Sequence, residues 1–556
     1  EADDDGTLVT DLAVLVEAIA GAARGLGIEE QRRPWLPPLP DTLALDDLEE
    51  REPAGSGVAP LPFALADLPA RQLRAVETYD LDSAGHLLVV GGSRTGRSSV
   101  LRAIAASAGR LTDPAEVHLY GVDCGNKALL PLVGMPHTGA VVGREAPDRL
   151  SWLTGRLLEV IAERQQLLAA QGFADVAEQR AAAPPGEGLP YLLVLFDRWE
   201  GFMAAFDGYD HGVLVEQWLQ ILQEGAGAGV KVVVTGDRGT LIGRISTQFD
   251  DRLVLKLTDP TDYSYVGLKT QDVPEHLPPG RAFRATTGLR EVQVALLDPD
   301  PAGAAQVSAL QEIARRAGER HAGLPAGRRP FRVDALPTRI DLAGMLALAE
   351  EALPGDAVPV GVGGDTLAGR SFDAREHGPS LVIAGTPKSG RSTALCAMAT
   401  YLLLRGWDAV AITPRTSPVR SLGVRAWFGA DAPVQSVRQA LSECPGRHAL
   451  LVDDLELLGT DGELAEWIGE CAGEMRDSGN LLIAAGNVDD LDSMYSGPII
   501  ALKKTRSGLL LRPSQPGQGD LFGITLPRSV VGGAGPAGRG LFIAGGSWEL
   551  IQVATP

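Results

Sequence analysis

A twelve-residue glycine-rich segment occurs twice in this chain of 556 residues. Residues 88–99 read LVVGGSRTGRSS and residues 382–393 read VIAGTPKSGRST, so the first glycine of the second segment lies 294 positions after that of the first. Two further marks recur in the same order: Pro-x-Gly-Arg at 278–281 and 536–539, then Gln-Val-Ala at 293–295 and 552–554. Three repeated marks in one order predict two homologous modules, and any fold proposed for the chain must contain both.

The repeat divides the chain into four segments. Residues around 318–339 combine Gly, Arg and Pro without hydrophobic periodicity, as is typical of a boundary. We expect an acidic N-terminal helix and Pro-rich lead-in at 1–60, a first module at 61–317, a linker at 318–340, and a shorter second module at 341–556.

Short apolar runs rich in β-branched residues alternate with longer helical patterns in both modules. The expected strands are 86–90, 116–122, 191–196, 230–235 and 252–257, then 380–384, 408–412, 448–452 and 480–484. The expected helices include 97–107, 146–171, 212–224, 391–404 and 463–477. Strands of this length separated by helices indicate βαβ units, so the fold class is α/β, with two doubly wound modules and mainly parallel sheets.

The repeated glycine-rich segment matches the P-loop pattern G-x4-G-K-[ST], except that arginine stands where the pattern has lysine. In both modules it follows an apolar strand and opens a helix, which is the context that gives the motif meaning. Glycines let backbone N–H groups surround a phosphate, and the helix N-terminus favours its negative charge. The expected nucleotide-binding residues are Gly91, Gly92, Ser93, Arg94, Thr95, Gly96, Arg97, Ser98 and Ser99, then Gly385, Thr386, Pro387, Lys388, Ser389, Gly390, Arg391, Ser392 and Thr393.

A magnesium site is expected beside each P-loop, so ATP and Mg²⁺ are the expected cofactors. Ser98 and Ser392 hold the position whose hydroxyl ligates Mg²⁺ in P-loop enzymes. The partner carboxylate should end a later apolar strand, and the runs YLLVLFD and HALLVDD supply Asp197 and Asp453 there.

Hydrolysis is expected to be weak. ATPases of this layout place an acid directly after the magnesium aspartate, but the first module has Arg198 there, and Glu200 is out of register. The second module has Asp454, the candidate catalytic residue. The P-loop arginines keep the charge of lysine in a bulkier, forked group that is not equivalent to it. We therefore expect an ATPase whose first module is slow or inactive and whose second module is weak.

Several other residues invite functional interpretations. Residues 235–238 (TGDR) and 485–487 (AGN) follow the next strand, where a γ-phosphate sensor would lie. His137 and Cys124 lack suitable partners in the sequence and are interpreted as structural. For Trp35 and Trp199, packing in the core or an interface is expected.

The charge balance and the cysteines limit the function classes. The formal net charge is −21, and residues 1–60 supply a net −10 from fourteen acids and four arginines. No basic stripe with interleaved aromatics occurs, so nucleic acid is not an expected partner. Four scattered cysteines, without a CxxC pair, fit a reducing compartment. No apolar stretch approaches the roughly 18–20 residues needed to span a bilayer.

The sequence resembles the ATPase domains of the FtsK/SpoIIIE family. The similarity lies in the P-loop contexts 89–101 and 383–395, and in EVHLYGVDCG (116–125), PHTGAVV (136–142) and RLVLKLTDPTDYSYVGL (252–268), which is followed by Pro-Gly-Arg at 279–281. The lead-in WLPPLP (35–40) and the tandem arrangement resemble the C-terminal ATPase modules of the EccC/EssC proteins of type VII secretion.

This resemblance implies properties that composition and spacing do not. It implies tandem RecA-like P-loop NTPase modules in a larger membrane-anchored protein that assembles into hexamers at the cytoplasmic face of the cell membrane. It also implies work with other type VII secretion components, and docking of secreted WXG100-like helical proteins through a C-terminal signal. Glu1 is not Met, and we expect the membrane anchor in a part of the protein that precedes it.

Two alternatives stay open. A DNA translocase of the FtsK/SpoIIIE kind would share the modules, but such proteins usually end in a small basic DNA reader, and this chain stops at Pro556 after the second module. A nucleotide-binding scaffold without motor activity would use ATP only as a structural ligand.

Overall fold

The structure is a computed structural model. It describes residues 10–28, 36–48, 57–184, 186–286, 288–349, 353, 357–364, 367–526, 530–532 and 535–556. Trp35 and parts of the 1–60 lead-in lie outside the described residues.

The first repeat unit contains ten strands and seven helices within the described part of the chain. The strands are β1 Leu61–Leu68, β2 Leu73–Tyr79, β3 Leu87–Val90, β4 Val117–Asp123, β5 Thr138–Gly143, β6 Tyr191–Asp197, β7 Val230–Gly236, β8 Asp251–Leu255, β9 Arg281–Ala285 and β10 Leu289–Val294. After α1 Asp11–Gly25, which precedes them, the helices are α2 Arg97–Leu111, α3 Pro147–Gln171, α4 Val176–Ala182, α5 Trp199–Phe206, α6 Val213–Glu224, α7 Gly239–Ile242 and α8 Gly303–Arg320.

The second repeat unit has the same plan in fewer residues. Its strands are β11 Val358–Gly363, β12 Ala368–Phe372, β13 Ser380–Gly385, β14 Asp408–Ile412, β15 Ala426–Phe428, β16 His448–Val452, β17 Leu481–Asn487, β18 Gly508–Leu511, β19 Arg539–Ala544 and β20 Ser547–Val553. Its helices are α9 Leu342–Ala347, α10 Ala374–His377, α11 Arg391–Leu404, α12 Val434–Ser442, α13 Glu463–Ser478, α14 Val488–Asp492 and α15 Pro498–Leu502.

The two sheets have the same strand order. The first runs β2-β1-β10-β9-β8-β3-β7-β6-β4-β5, and the second runs β12-β11-β20-β19-β18-β13-β17-β16-β14-β15. Strands from β8 to β5, and from β18 to β15, pair in parallel; the other four strands of each sheet form an antiparallel extension. The predicted α/β architecture with two modules is confirmed, while the antiparallel extension is a feature that the sequence analysis did not predict.

Each central strand contributes to two cores because its side chains alternate between the faces of the sheet. In β3, Leu87 and Val89 join one buried cluster and Leu88 and Val90 join the other. The strand β13 divides in the same way, with Leu381 facing one cluster and Val382 the other. Helices therefore cover both faces, which explains why these strands are continuous apolar runs.

The segments before each sheet dock in matching places. The guanidinium of Arg281 donates to the carbonyls of Leu39 and Pro40, and that of Arg539 donates to those of Leu336 and Pro337. Ala44 bridges Leu296 and Asp341 bridges Thr555 in the same parallel sense. We propose that each module begins at its docked Leu-Pro pair, at 39 and at 336, ahead of the boundaries 61 and 341 expected from the sequence.

The predicted linker 318–340 contains ordered contacts. The helix α8 continues to Arg320. The ring of Phe331 stacks on Tyr120 with centroids 4.4 Å apart, and Arg149 donates to the carbonyl of Val333, a fully buried residue. The linker is therefore packed against the first module before it reaches the second.

The N-terminal helix α1 is present, capped by the hydroxyl of Thr10 accepting from the Ala13 N–H, and none of its residues is buried. None of the helices in the described ranges combines the length and apolar character that a membrane crossing requires.

Candidate functional site

The first P-loop connects β3 to α2 and carries the backbone geometry that phosphate binding needs. Gly96 adopts φ +110° at the N-cap of α2, a conformation that side chains with a Cβ rarely adopt, and Arg94 lies in the left-handed region at φ +60°. A Cβ on Gly91 would lie 2.5 Å from the Thr95 hydroxyl. The loop is therefore tightly packed at its first glycine, and its other predicted residues lie in it or in the first turn of α2.

The second P-loop repeats this geometry between β13 and α11. Gly390 has φ +101° at the helix N-cap, and Lys388 takes the left-handed conformation of Arg94 at φ +60°. A Cβ on Gly385 would lie 2.5 Å from the Ser389 hydroxyl. Both loops are therefore cradles that only glycine permits, so the residues present fit a bound phosphate.

The three repeated sequence marks meet behind each P-loop. The Gly280 N–H donates to the Thr95 carbonyl (2.9 Å), and the Gly538 N–H donates to the Ser389 carbonyl (2.7 Å). The arginine after each glycine donates through Nε to a glutamine of the Gln-Val-Ala mark, Arg281 to Gln293 and Arg539 to Gln552. One hydrogen-bond network thus joins the lead-in, the Pro-x-Gly-Arg turn and the P-loop.

Asp197 lies beside the first P-loop, as the sequence predicts. Ser98 donates to its Oδ2 (2.9 Å) and Thr235, at the end of β7, donates to its Oδ1 (2.7 Å). Burial raises the pKa of Asp197, although the hydrogen bonds from Thr235 and Ser98 act in the opposite direction. Thr235, which the sequence suggested as part of a sensor, holds this carboxylate in place.

Asp453 has the same place beside the second P-loop, with a different second donor. Ser392 donates to its Oδ1 (3.1 Å), and Ser417 donates to its Oδ2 (2.6 Å) from a turn after β14. Ser417 was not predicted, because no strand or motif marks its position. Each module therefore holds one serine hydroxyl against one buried aspartate next to a P-loop.

These pairs could hold a magnesium ion only together with phosphate. In the described ranges, no cluster of three or more His, Cys, Asp or Glu side chains could hold a metal by itself. Mg²⁺ is commonly bound through one or two protein oxygens plus substrate phosphates, which is what a Ser–Asp pair offers.

The residues after each aspartate differ as expected. Arg198 and Asp454 occupy the same position, and both adopt the left-handed region at φ +69° and +56°. Burial and the neighbouring Asp453 raise the pKa of Asp454. The first module therefore presents a cation where the second presents a carboxylate.

Two further acids, Glu200 and Glu456, lie beside the P-loop arginines; Glu200 was expected to be out of register, and Glu456 was not predicted. Each lies three residues after its aspartate, Asp197 or Asp453. Glu200 Oε1 is 3.0 Å from Arg97 Nη1, and Glu456 Oε1 is 3.8 Å from Arg391 Nη1. Aligning the repeat at Asp197 and Asp453 would have found both, since the runs DRWE and DDLE place the acid identically.

The sensor candidates have local partners. Asp237 and Arg238 line a cavity of about 330 Å³ together with Gly91 and Gly92. The Arg238 guanidinium pairs with the buried Asp262 at 2.7 Å. Asn487 accepts from the Asp489 N–H and caps α14. Their sensor role stays a prediction.

The structural interpretations of the remaining residues agree with their surroundings. His137 is fully buried, contacts the Thr112 carbonyl through Nε2, and has its pKa lowered to about 4 by burial. Burial raises the pKa of Cys124 to about 12, so its thiol is not activated. Trp199 packs in the core against Phe196 and Phe202.

The first module is similar in sequence to a known protein family. The profile of the FtsK/SpoIIIE family matches residues 50–273, which include the first P-loop, Asp197 and the whole parallel part of the first sheet. Residues 50–273 are therefore similar to a domain of the FtsK/SpoIIIE family.

The FtsK/SpoIIIE domain and its repeat have relatives in type VII secretion. The ESX-4 secretion system protein EccC4 of Mycobacterium tuberculosis is 26% identical over 557 residues, which cover 94% of this chain and 42% of the relative. The ESX-1 secretion system protein EccCb1 of Mycolicibacterium smegmatis is 28% identical over 389 residues, covering 67% of this chain and 62% of the relative. The chain is homologous to these EccC proteins and spans about half of their length.

Solved structures share the tandem fold. EssC (ATPases 2 and 3) from Geobacillus thermodenitrificans superposes with a TM-score of 0.70 at 20% identity, covering 94% of this chain and all of the other. EccC (ATPases 2 and 3) of Thermomonospora curvata, solved in complex with a signal sequence peptide, superposes with a TM-score of 0.63 at 23% identity over 94% of this chain and all of the other. The two modules thus have the fold of paired type VII secretion ATPase domains.

Proposed function

We propose that this chain is an ATP-binding pair of modules from a type VII secretion ATPase. One observation carries the proposal: each of two P-loops, in the same register of two equivalent sheets, places a serine hydroxyl against a buried aspartate, Ser98 with Asp197 and Ser392 with Asp453. Homology to EccC proteins supplies the secretion context.

Different residues of each module would bind the phosphates and the Mg²⁺ ion. Backbone N–H groups of the glycine-rich loops and the N-termini of α2 and α11 would receive the phosphates, with Arg97 and Arg391 adding positive charge. The Ser–Asp pairs would hold Mg²⁺, which when bound neutralises phosphate charge and orients the chain of phosphates.

Hydrolysis is proposed to be confined to the second module and to be slow there. Asp454 has the position from which a base could polarise water, whereas Arg198 cannot accept a proton. Because burial and Asp453 raise the pKa of Asp454, its basic form is lost on acidification at a higher pH than that of an ordinary aspartate.

Asp454→Asn is therefore expected to reduce single-turnover phosphate release by the full chain by roughly 100-fold or more, because general-base catalysis is of that size. ATP affinity, measured by calorimetry, should stay unchanged. Asp461→Asn, at an exposed position of the same module, is the matched control. Equal turnover in the Asp454→Asn variant and the unmodified chain would show that Asp454 is not the general base.

We propose that the cargo is a secreted WXG100-type helical protein that docks through its C-terminal signal. The Thermomonospora curvata EccC modules, whose fold this chain shares, were solved with a signal sequence peptide, which supports this class of partner. From the resemblance to the EccC/EssC proteins of type VII secretion, we further propose that the modules act in a hexamer at the cytoplasmic face of the membrane, with other secretion components.

A fluorescently labelled WXG100-type protein is expected to bind the full chain, and deletion of its C-terminal tail should abolish the change in anisotropy. The separated tail peptide should compete with the intact protein. Binding that survives tail deletion would contradict recognition through a signal, and salt-dependent binding of duplex DNA in its place would favour the DNA translocase alternative.

A further inference from the structure

The P-loop arginine of each module is paired with a glutamate that no P-loop pattern includes. Arg97 and Glu200 are 12% and 23% exposed, and Arg391 and Glu456 are 17% and 10% exposed. The glutamates come from the segment after the magnesium aspartate: Glu200 is in α5, and Glu456 is in a 3-10 turn at Leu455–Leu458. The same arrangement therefore occurs in both modules.

Both pairs leave hydrogen-bonding capacity unused. Arg97 Nη1, Glu200 Oε2, Arg391 Nη1 and Glu456 Oε2 are buried and have no hydrogen-bond partner among the described residues. A buried ion pair with unsatisfied polar atoms contributes little to stability, since desolvation of the charges offsets their attraction. Stability alone is thus a poor reason for the pair to occur in both modules, whereas a bound ligand could accept hydrogen bonds from the two Nη1 atoms.

The arginine is also the group that phosphate needs. It is the first residue of α2 or α11, directly after the glycine at the helix N-cap, in the position where the P-loop pattern has its phosphate-binding lysine. In these structures its nearest anion is the glutamate carboxylate. The cation that a terminal phosphate would need is therefore paired with a carboxylate.

We propose that Glu200 and Glu456 are positioning residues that latch the P-loop arginines and must release them before a nucleoside triphosphate binds. Because the latch acts on the phosphate-binding arginine, it rests on the proposed nucleotide-binding function. We call each Arg–Glu pair, Arg97 with Glu200 and Arg391 with Glu456, a latch pair.

Like-charge repulsion gives the latch its selectivity. The γ-phosphate brings negative charge next to the glutamate, so the carboxylate opposes ATP more strongly than ADP. In the first module Arg198 Nε also donates to Glu200 at 3.2 Å, so this glutamate lies between two cations. Burial raises the pKa of Glu456, whereas hydrogen bonds from backbone N–H groups, including that of Asn487, and the charge of Arg391 act in the opposite direction.

The test compares Glu200→Gln and Glu456→Gln, which remove the charge and keep the shape, with the unmodified full chain. Mg-ATP and Mg-ADP are titrated by calorimetry and fitted to two sites. Each variant is expected to tighten one ATP site by roughly tenfold, the size of a close charge interaction near a protein surface, and to change ADP affinity less. Glu163→Gln and Glu470→Gln, on exposed helix positions of the first and second units, are the controls.

The outcomes separate the latch from the proposed function. Tighter ATP binding with a higher ratio of ATP to ADP affinity supports the latch. Unchanged or weaker ATP binding in a variant that keeps the circular dichroism and Tm of the unmodified chain overturns it, as does lost hydrolysis at unchanged affinity, which would make the glutamate a catalytic base. Failure of the unmodified chain and both variants to bind either nucleotide overturns the proposed function and the latch together.

Discussion

Replacing Arg284 with methionine is expected to destabilise the antiparallel part of the first sheet by about 3 kcal/mol, because it leaves buried carboxylates without their cation. The guanidinium of Arg284 is 8% exposed and pairs with Glu77 and Asp251, the latter at 2.6 Å. It also donates to the Thr78 carbonyl. Arg290 still contacts Glu77 at 3.1 Å, so we expect the low end of the range for breaking a buried pair.

Native-state hydrogen exchange locates this effect. Amides of β8 and β9 should exchange faster in the Arg284→Met variant, while those of β18 and β19 in the second module serve as internal reference and should not change. Arg315→Met is the matched control, since Arg315 pairs with Glu312 and Glu319 on the exposed face of α8, and it should leave exchange unaltered. Equal protection in both variants would mean that the buried network does not stabilise the sheet.

The second module shows what can replace this network. Phe542 occupies the position of Arg284, because Leu253 pairs with Arg284 and the equivalent Leu509 pairs with Phe542. Phe542 is 8% exposed and belongs to a hydrophobic core. The two modules therefore fill one place in the fold with an ion-pair network and with an aromatic ring, in line with the observation that buried ion pairs are replaceable by apolar packing.

The parallel strands could be predicted from the sequence, whereas the antiparallel strands could not. The parallel strands are buried on both faces, so they appear as apolar runs, and the strands at 408–412 and 448–452 have the bounds that the sequence indicated. Strands of the antiparallel extension are partly exposed and carry charged residues: Arg74 and Glu77 lie in β2, and Glu291 lies in β10. Glu77 pairs with Arg284 and Glu291 pairs with Arg281, whereas Arg74 donates to the carbonyls of Pro37 and Pro38 in the lead-in. Hydrophobic patterning cannot reveal such contacts between distant segments.

In the candidate site, too, the residues that belong to a local motif could be predicted, whereas those contributed by distant segments could not. The P-loops and the Ser–Asp pairs were predictable because motif spacing fixes strand, turn and helix together. Ser417 and Thr235 donate to the aspartates from other segments, and only the folded sheet brings them there. Glu200 and Glu456 are an intermediate case, since the repeat contains them but no motif gives them meaning. The repeat was therefore more informative about the site than either module alone.

Gly385→Ala is expected to abolish nucleotide binding by the second module, with a loss of affinity of roughly 100-fold or more, since misplacing one or two N–H donors to a charged group has an effect of that size. The added Cβ would lie 2.5 Å from the Ser389 hydroxyl, 2.8 Å from the Leu511 carbonyl oxygen and 2.9 Å from the Leu511 Cβ. Because a backbone oxygen of the neighbouring strand cannot move aside freely, the P-loop itself must shift. The first site, around Gly91, should keep its affinity.

A glycine elsewhere in the same module provides the control. Gly473 lies in α13, and a Cβ there would meet no atom within 4 Å. Gly473→Ala should preserve both nucleotide sites and raise stability by up to about 1 kcal/mol, because alanine favours the helix. Gly91→Ala is the reciprocal variant and should remove the first site alone. If Gly385→Ala bound Mg-ATP with the affinity of Gly473→Ala, the phosphate would not lie in the cradle of the second P-loop, and the assignment of that loop would fail.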